Sequence, residues 1–379
     1  MLPSQRDLFD IPDDVSYLNC AYMSPQLRSV RAAGERAIAA KSRPWEISPA
    51  DFFADSETAR ALFAELIGGD ADGVAIIPSV SYGIAVAAAN LPLAPGQNVV
   101  VLEEQFPSNV YPWLERASDC GAAVVTVPRP ADHDWAAAID DCMDGNTAIV
   151  AVPNCHWTDG SLVDLVRVGA RARELGAALV VDATQSLGAY PFDVARVRPD
   201  FLVTAAYKWL LGPYSLGFLY ADRERRAGRP LEHNWITRAG SEHFGGLVQY
   251  TSDFQPGARR YDMGERSNFA LLPMALAALR QILDWKVEAV AAAIGELTGR
   301  IETGAAALGI AAMPANRRAP HLVGLRLGGD APDELATQLA ARQVFVSVRG
   351  DRLRVAPHVY NTAADVDRFI AALRELTGR

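Results

Sequence analysis

The 379-residue chain is 50% hydrophobic and 21% charged. That is the profile of a globular protein with room for a large domain and a smaller one. Its formal net charge of -9, with no block rich in Lys or Arg, argues against a nucleic-acid or anionic-membrane partner. The first residues lack a basic stretch followed by an apolar core, and no apolar run approaches the ~18 residues of a membrane span, so a cytoplasmic location is expected.

Short β-rich apolar runs alternate with helical patterns from about residue 56 to 220. Strands are expected over 74–78, 98–102, 122–127, 148–152, 178–181, 201–204 and 216–220. Helices are expected over 81–91, 112–120 and 162–175, the last closed by Gly176. Such alternation implies βαβ units and a mainly parallel sheet covered on both faces, with any ligand at the carboxyl ends of the strands. Residues 221–265 are irregular, and 271–308 form one strongly helical, alanine-rich pattern. A strand over 321–327, a helix near 332–342, strands over 344–348 and 352–356, and a final helix from Ala363 suggest a smaller α+β domain.

The four cysteines, Cys20, Cys120, Cys142 and Cys155, form no C-x-x-C pair and read as reduced thiols. The six histidines are scattered, with no H-x-x-x-H spacing, so no metal site is expected.

The chemistry follows the strands. Lys208 lies in Tyr207-Lys208-Trp209-Leu210-Leu211-Gly212, 26 residues after Asp182, which ends an apolar run. An amine buried there loses pKa and becomes a nucleophile, and a carboxylate ending a strand can keep a pyridinium nitrogen protonated. Pyridoxal phosphate needs these two groups, although a surface lysine and a helix-capping aspartate would have the same sequence. Ser79-Val80-Ser81 runs from a strand end into a helix, where free amides and two hydroxyls could hold a phosphate or merely cap the helix. Phe106 could stack on a ring or fill the core, and Asn154 could donate to a phenolic oxygen or form an Asx-turn. Gln185 lies one turn past Asp182. Arg354 lies in an apolar strand, fit either for a substrate carboxylate or for a structural ion pair. No G-x-x-x-x-G-K-[ST] or G-x-G-x-x-G occurs.

Taken in order, Ser79-Val80-Ser81, Phe106, Asn154, Asp182-x-x-Gln185, Lys208 and Arg354 through Tyr360-Asn361-Thr362 resemble the class V aminotransferase family of fold-type I pyridoxal-phosphate enzymes, which includes cysteine desulfurases, kynureninases and isopenicillin N epimerase. The resemblance spans nearly the whole chain. It implies a large cofactor domain over 16–255 with a seven-stranded sheet, and a small domain from 1–15 and 256–379. Lys208 would form the Schiff base, Asp182 would pair with the ring nitrogen, and Gln185 and Asn154 would approach O3′. Ser79, Val80, Ser81 and Tyr207 would hold the phosphate, Phe106 would stack on the ring, and Arg354 would take the substrate carboxylate. Trp235, Ser267 and Asn268 would reach the partner's site in a homodimer.

The chain departs from desulfurases in having no cysteine between Val344 and Arg354, so persulfide chemistry is not expected. The resemblance then implies an amino-acid substrate carried as an external aldimine, with a lyase cleaving a Cβ bond, C–S or C–C, as the first reading. Aminotransferase and epimerase are the alternatives, the latter needing a second acid for which His156 and Tyr111 are candidates. A non-catalytic cofactor-binding regulator is remote, because no basic DNA-binding module is present.

Overall fold

The computed structural model describes residues 2–327 and 333–378. The chain opens with β1 (Ser16–Tyr17), α1 (Arg28–Lys41) and α2 (Asp51–Ile67). It then alternates through β2 (Val74–Ile77), α3 (Val80–Asn90), β3 (Asn98–Leu102), α4 (Tyr111–Cys120), β4 (Ala123–Val127), α5 (Trp135–Cys142), β5 (Thr147–Pro153), α6 (Leu165–Leu175), β6 (Ala178–Asp182), α7 (Val194–Val197), β7 (Phe201–Ala205) and β8 (Gly217–Ala221). These seven strands form one sheet in the order β2-β8-β7-β6-β5-β3-β4. Only β8 runs against its neighbours. This is the α/β fold expected from the alternation.

The apolar runs are continuous because both sheet faces are covered. Val100, Val150, Leu179, Val181 and Leu202 face a core shared with α2, α5 and α6, while Val99, Val101, Ile149, Val180 and Val203 face one shared with α3 and α4. The two-residue side-chain period of a strand sorts them.

The remaining elements are α8 (Leu271–Trp285), α9 (Val287–Ala306), β9 (Ala311–Ala312), β10 (Val323–Arg326), α10 (Asp333–Ala340), β11 (Val344–Phe345), β12 (Ser347–Arg349), β13 (Arg352–Val355) and α11 (Ala363–Thr377). Four of their strands make an antiparallel sheet, β12-β13-β10-β9. A third core gathers Leu18, Ile301, Leu325, Leu353, Val366 and Phe369, whereas α8 contributes Leu272, Ala275 and Leu279 to the core of the large sheet.

Several local expectations change. The helical pattern over 271–308 breaks at Lys286, whose φ of 66° ends α8. Neither Gly nor Pro marks that break, so periodicity runs through it. The strand expected over 344–348 is two short strands, since β11 pairs with β1 while β12 pairs with β13. The helix expected from 332 is described only from Asp333, its first expected residue lying outside the described residues. Helices α1, α2 and α5 were not anticipated. The mean hydropathy of α1 is low and its buried side is narrow, with Val30, Ala33 and Gly34 alone buried.

Two tethers join separate parts of the chain. Residues 18–24 run between them: Ala356 N–H donates to Leu18 O (2.8 Å), Cys20 N–H to Ala356 O (3.0 Å) and Ser24 N–H to Tyr207 O (3.1 Å). The hairpin carrying Arg354 is thereby tied to the loop carrying Lys208. The second tether is ionic. Fully buried Asp262 accepts from Arg60 (2.9 Å), Arg266 (2.5 Å) and the Ile76 amide (2.8 Å), joining α2, β2 and the segment before α8. Leaving either arginine there without its carboxylate would cost about 3–5 kcal/mol.

Candidate active site

The carboxyl ends of β2, β3, β5, β6 and β7 surround a cavity of about 300 Å³. It is lined by Ser79, Val80 and Ser81 after β2, Phe106 and Ser108 after β3, Cys155 and Trp157 after β5, Asp182, Thr184 and Gln185 at β6, and Tyr207 and Lys208 after β7. Tyr214, Ser215 and Leu216, on the way to β8, close it. Non-glycine residues with positive φ flank this mouth: Glu104 (56°), Leu211 (54°) and Ser215 (63°). Such backbone costs of order 1–3 kcal/mol per residue and concentrates where geometry is held for function.

Lys208 is 6% exposed. Burial lowers its pKa to about 8, helped by the charges of Arg354 and Arg349 and opposed by Asp182. Its Nζ lies 5.3 Å from the Phe106 ring centroid and 5.6 Å from that of Tyr207. Burial pushes the Asp182 pKa up, and hydrogen bonding from Thr184 and the charge of Lys208 oppose the rise. The Thr184 N–H donates to Asp182 Oδ1 at 3.0 Å.

Ser79 caps α3, its Oγ accepting from the Tyr82 N–H (3.2 Å) and lying 2.9 Å from Ser81 Oγ. The capping role and the anion-binding role coincide, because the first amides of a helix have no intrahelical acceptor. Gln185 is clamped: its Nε2 donates to Ala21 O (3.1 Å), and its Oε1 accepts from Trp209 Nε1 (2.9 Å). His321 Nε2 lies 2.6 Å from the Gln185 carbonyl oxygen. Phe106 forms a wall, edge-on to Trp157 with centroids 5.4 Å apart. Tyr207 packs against Tyr214 at 4.5 Å.

Five expected residues do not line this cavity: Asn154, Trp235, Ser267, Asn268 and Arg354. Asn154 lines a separate cleft with Asp164 and Tyr190. The pleat turns Pro153 and Cys155 toward the cavity and Asn154 away from it. Trp235 joins an aromatic cluster with Phe52 and Phe244, at 5.9 and 5.4 Å. Ser267 Oγ donates to Phe52 O (2.6 Å), and Asn268 Oδ1 accepts from the Leu271 N–H (2.9 Å) at the start of α8. Of the two candidate second acids, His156 is fully buried, stacked on Trp135 at 5.5 Å, with burial lowering its pKa to about 4. Tyr111 is 63% exposed on α4. Neither lines the cavity.

Arg354 is 1% exposed, yet among the described residues no carboxylate pairs with it. Its Nε donates to Ser347 Oγ (3.2 Å) and one terminal nitrogen to Trp157 O (2.9 Å), while its guanidinium carbon lies 5.9 Å from the Trp157 ring centroid. Burial and the neighbouring charge of Arg349 depress its pKa. Trp157, Tyr214 and Ser215 were not singled out in the sequence. Trp157 carried a usable signal, an aromatic just past a strand end. The other two carried none, because their positions depend on the turn after Lys208.

The family model for class-V aminotransferases matches residues 48–369, and the chain belongs to that family. It is 28% identical over 318 residues to an uncharacterized aminotransferase, YcbU, of Bacillus subtilis (strain 168), covering 83% of this chain and 82% of that protein. It is 28% identical over 250 residues to a kynureninase of Burkholderia mallei (strain SAVP1), covering 62% of this chain and 58% of that one. The fold is that of a cystine C–S lyase solved with its product cysteine persulfide: TM-score 0.85, 18% identity, 95% of this chain and 97% of that one.

The protein is thus a pyridoxal-phosphate enzyme of fold type I, and the cavity suits that cofactor. A buried amine of lowered pKa, a buried carboxylate and a helix N-terminus with two hydroxyls converge on one apolar space. When bound, the cofactor supplies an electron sink for the substrate's Cα. We propose that Lys208 attaches it, Asp182 holds its ring nitrogen protonated, and Ser79, Val80 and Ser81 hold its phosphate.

Two outcomes are expected. In the cofactor-free protein, Lys208 acetylation read by mass spectrometry should rise half-maximally near pH 8, because the amine is neutral and nucleophilic only above its lowered pKa. A midpoint near that of exposed lysines, about 10.4, would remove Lys208 from this role. Asp182→Asn should leave a folded protein that still turns yellow with the cofactor but loses activity by ~10²-fold or more, since an amide cannot stabilise the ring proton. Near-normal turnover would make Asp182 a structural residue.

Proposed function

We propose that the enzyme is a lyase that takes an α-amino acid and cleaves a bond at Cβ, C–S or C–C. The observation that carries the amino-acid reading is Arg354, a buried guanidinium left without a carboxylate beside the cavity. A buried, unpaired charge is costly, and a substrate α-carboxylate would complete it with a planar two-bond contact. Lys208, once released from the cofactor, is the base for the Cα proton.

The choice of lyase rests on what else reaches the cavity. Epimerisation requires an acid on the opposite face, and His156 and Tyr111 are turned away. Cys155 does line the cavity, but burial pushes its pKa far up, and Cys20 is equally buried with its pKa raised in the same way. Both are therefore neutral thiols, poor nucleophiles for accepting sulfur. The relative named a kynureninase and the fold neighbour described as a C–S lyase are consistent with this reading. Transamination is the second reading, favoured by the relative named as an aminotransferase. Incubating the holoenzyme with a panel of amino acids separates the two. Side-chain fragment release with pyruvate or alanine supports the lyase, and stoichiometric keto acid with the pyridoxamine form supports transamination.

Arg354→Lys should raise KM for the substrate by about tenfold or more, since a point-charge ammonium cannot make the two-bond contact. An unchanged KM, with only the melting temperature lowered, would make Arg354 structural. The same reading makes the working unit a homodimer in which Trp235, Ser267 and Asn268 approach the partner's site. The 98% exposure of Tyr250, between Trp235 and Ser267 in the sequence, supports it. Sedimentation at the monomer mass with full activity would rule this out.

A further inference from the structure

A second arginine close to the cavity-lining Trp157 also has no carboxylate partner among the described residues. Arg349 ends β12, and its register partner in β13 is Arg352, just as Ser347 pairs with Arg354. Strand alternation puts Ser347 and Arg349 on one face of the hairpin, the face from which Ser347 Oγ accepts the Arg354 bond. The Arg349 guanidinium carbon lies 5.5 Å from the centroid of the same Trp157 ring that Arg354 approaches at 5.9 Å. Trp157 in turn lines the cavity.

The nearby acids are engaged elsewhere. Asp351 pairs with Arg326 (3.0 Å) and Arg352 (3.6 Å), and Glu104 with Arg129 (2.8 Å) and Arg352 (3.8 Å). Asp159 pairs with Arg129 (2.5 Å) and Arg352 (3.7 Å). The sole hydrogen bond of Arg349 among the described residues runs to the carbonyl oxygen of its neighbour Val348, at 2.6 Å. In a chain with 45 acidic and 36 basic residues, a shortage of carboxylates does not explain this. Arg349 is half-buried, and its charge depresses the pKa of both Arg354 and Lys208. Neither arginine itself lines the cavity, but both lie against its wall residue Trp157 and near enough to Lys208 for three cationic groups to disfavour one another, an arrangement that a ligand with two anionic groups would relieve.

We propose that the substrate is an α-amino acid with a second anionic group on its side chain, a carboxylate or a sulfinate, and that Arg349 receives that group. This rests on Arg354 holding the α-carboxylate. Arg349 then determines specificity: it discriminates acidic from neutral amino acids of equal length and leaves the chemistry at Cα to Lys208 and Asp182.

The test compares succinate with butyrate, two four-carbon acids differing by one carboxylate, as ligands of the holoenzyme in titration calorimetry. Succinate should bind at least about tenfold more tightly, the scale of one charge-assisted contact. Arg349→Gln should abolish that preference and leave butyrate binding within about twofold. Arg349→Lys should keep part of it, which separates loss of charge from loss of fold. The proposal is overturned if succinate binds no tighter than butyrate, if no succinate binding is detected, or if Arg349→Gln weakens both acids alike. The last result would assign both arginines to one carboxylate. Arg354→Gln tests the underlying reading separately. If that variant binds butyrate as the parent does, the α-carboxylate assignment fails whatever Arg349 does.

Discussion

Buried charge without a counter-ion is the constraint around which the site is built. Lys208, Asp182 and Arg354 are each almost fully buried, and none forms a salt bridge of its own among the described residues. Desolvation acts on each in the direction that disfavours its charge. Asp262 shows the alternative within the same molecule. It is equally buried but saturated by two arginines and an amide, and it joins elements away from the main cavity. The satisfied cluster joins elements, and the unsatisfied one has the charge that the proposed cofactor and substrate would complete. Burial alone separates neither from the other; completeness of pairing does.

The fold holds this unfavourable arrangement by distributing it over separate elements. Asp182 and Lys208 stand at or just past the ends of β6 and β7 in the large sheet, Arg354 lies within β13 of the four-stranded sheet, and each sheet is secured by its own core. The hairpin with Arg354 is brought up by the 18–24 segment, which bonds to Ala356 on one side and Tyr207 on the other. Movement of the four-stranded sheet against the large one would therefore move Arg354 relative to Lys208, and the tether limits that movement through backbone bonds. Positive φ at Leu211 and Ser215 adds local cost just past Lys208, where the chain turns back into antiparallel β8.

The sheet was legible because its strands are buried on both faces and read as unbroken apolar runs between turn residues. All seven expected runs are strands of one sheet. Lys208, Asp182 and the Ser79–Ser81 turn could be placed for the same reason, as polar residues at the ends of such runs. Legibility failed where a side chain's direction depends on the pleat or on contacts distant in sequence. Asn154 and Cys155 are neighbours after one strand, and a single-residue alternation decides which faces the cavity. The break at Lys286 has no composition signal. Arg354 could be read equally as clamp or ion pair, because pairing is a property of neighbours up to 197 residues away in sequence.

The same logic bears on the thiols. A desulfurase needs a cysteine that is exposed enough to reach substrate sulfur and acidic enough to be a thiolate. In the hairpin before Arg354, the chain carries no cysteine but ends β12 with Arg349. A mobile nucleophile and a half-buried guanidinium make opposite demands on that turn, since one must swing toward the substrate and the other must hold a fixed charge beside it. Trp157 favours the fixed arrangement: the guanidinium carbons of Arg349 and Arg354 lie 5.5 and 5.9 Å from its ring centroid, and its Nε1 donates to Glu104 O at 2.7 Å. The four-stranded sheet therefore brings both arginines against Trp157, while Lys208 and Asp182 come from the large sheet.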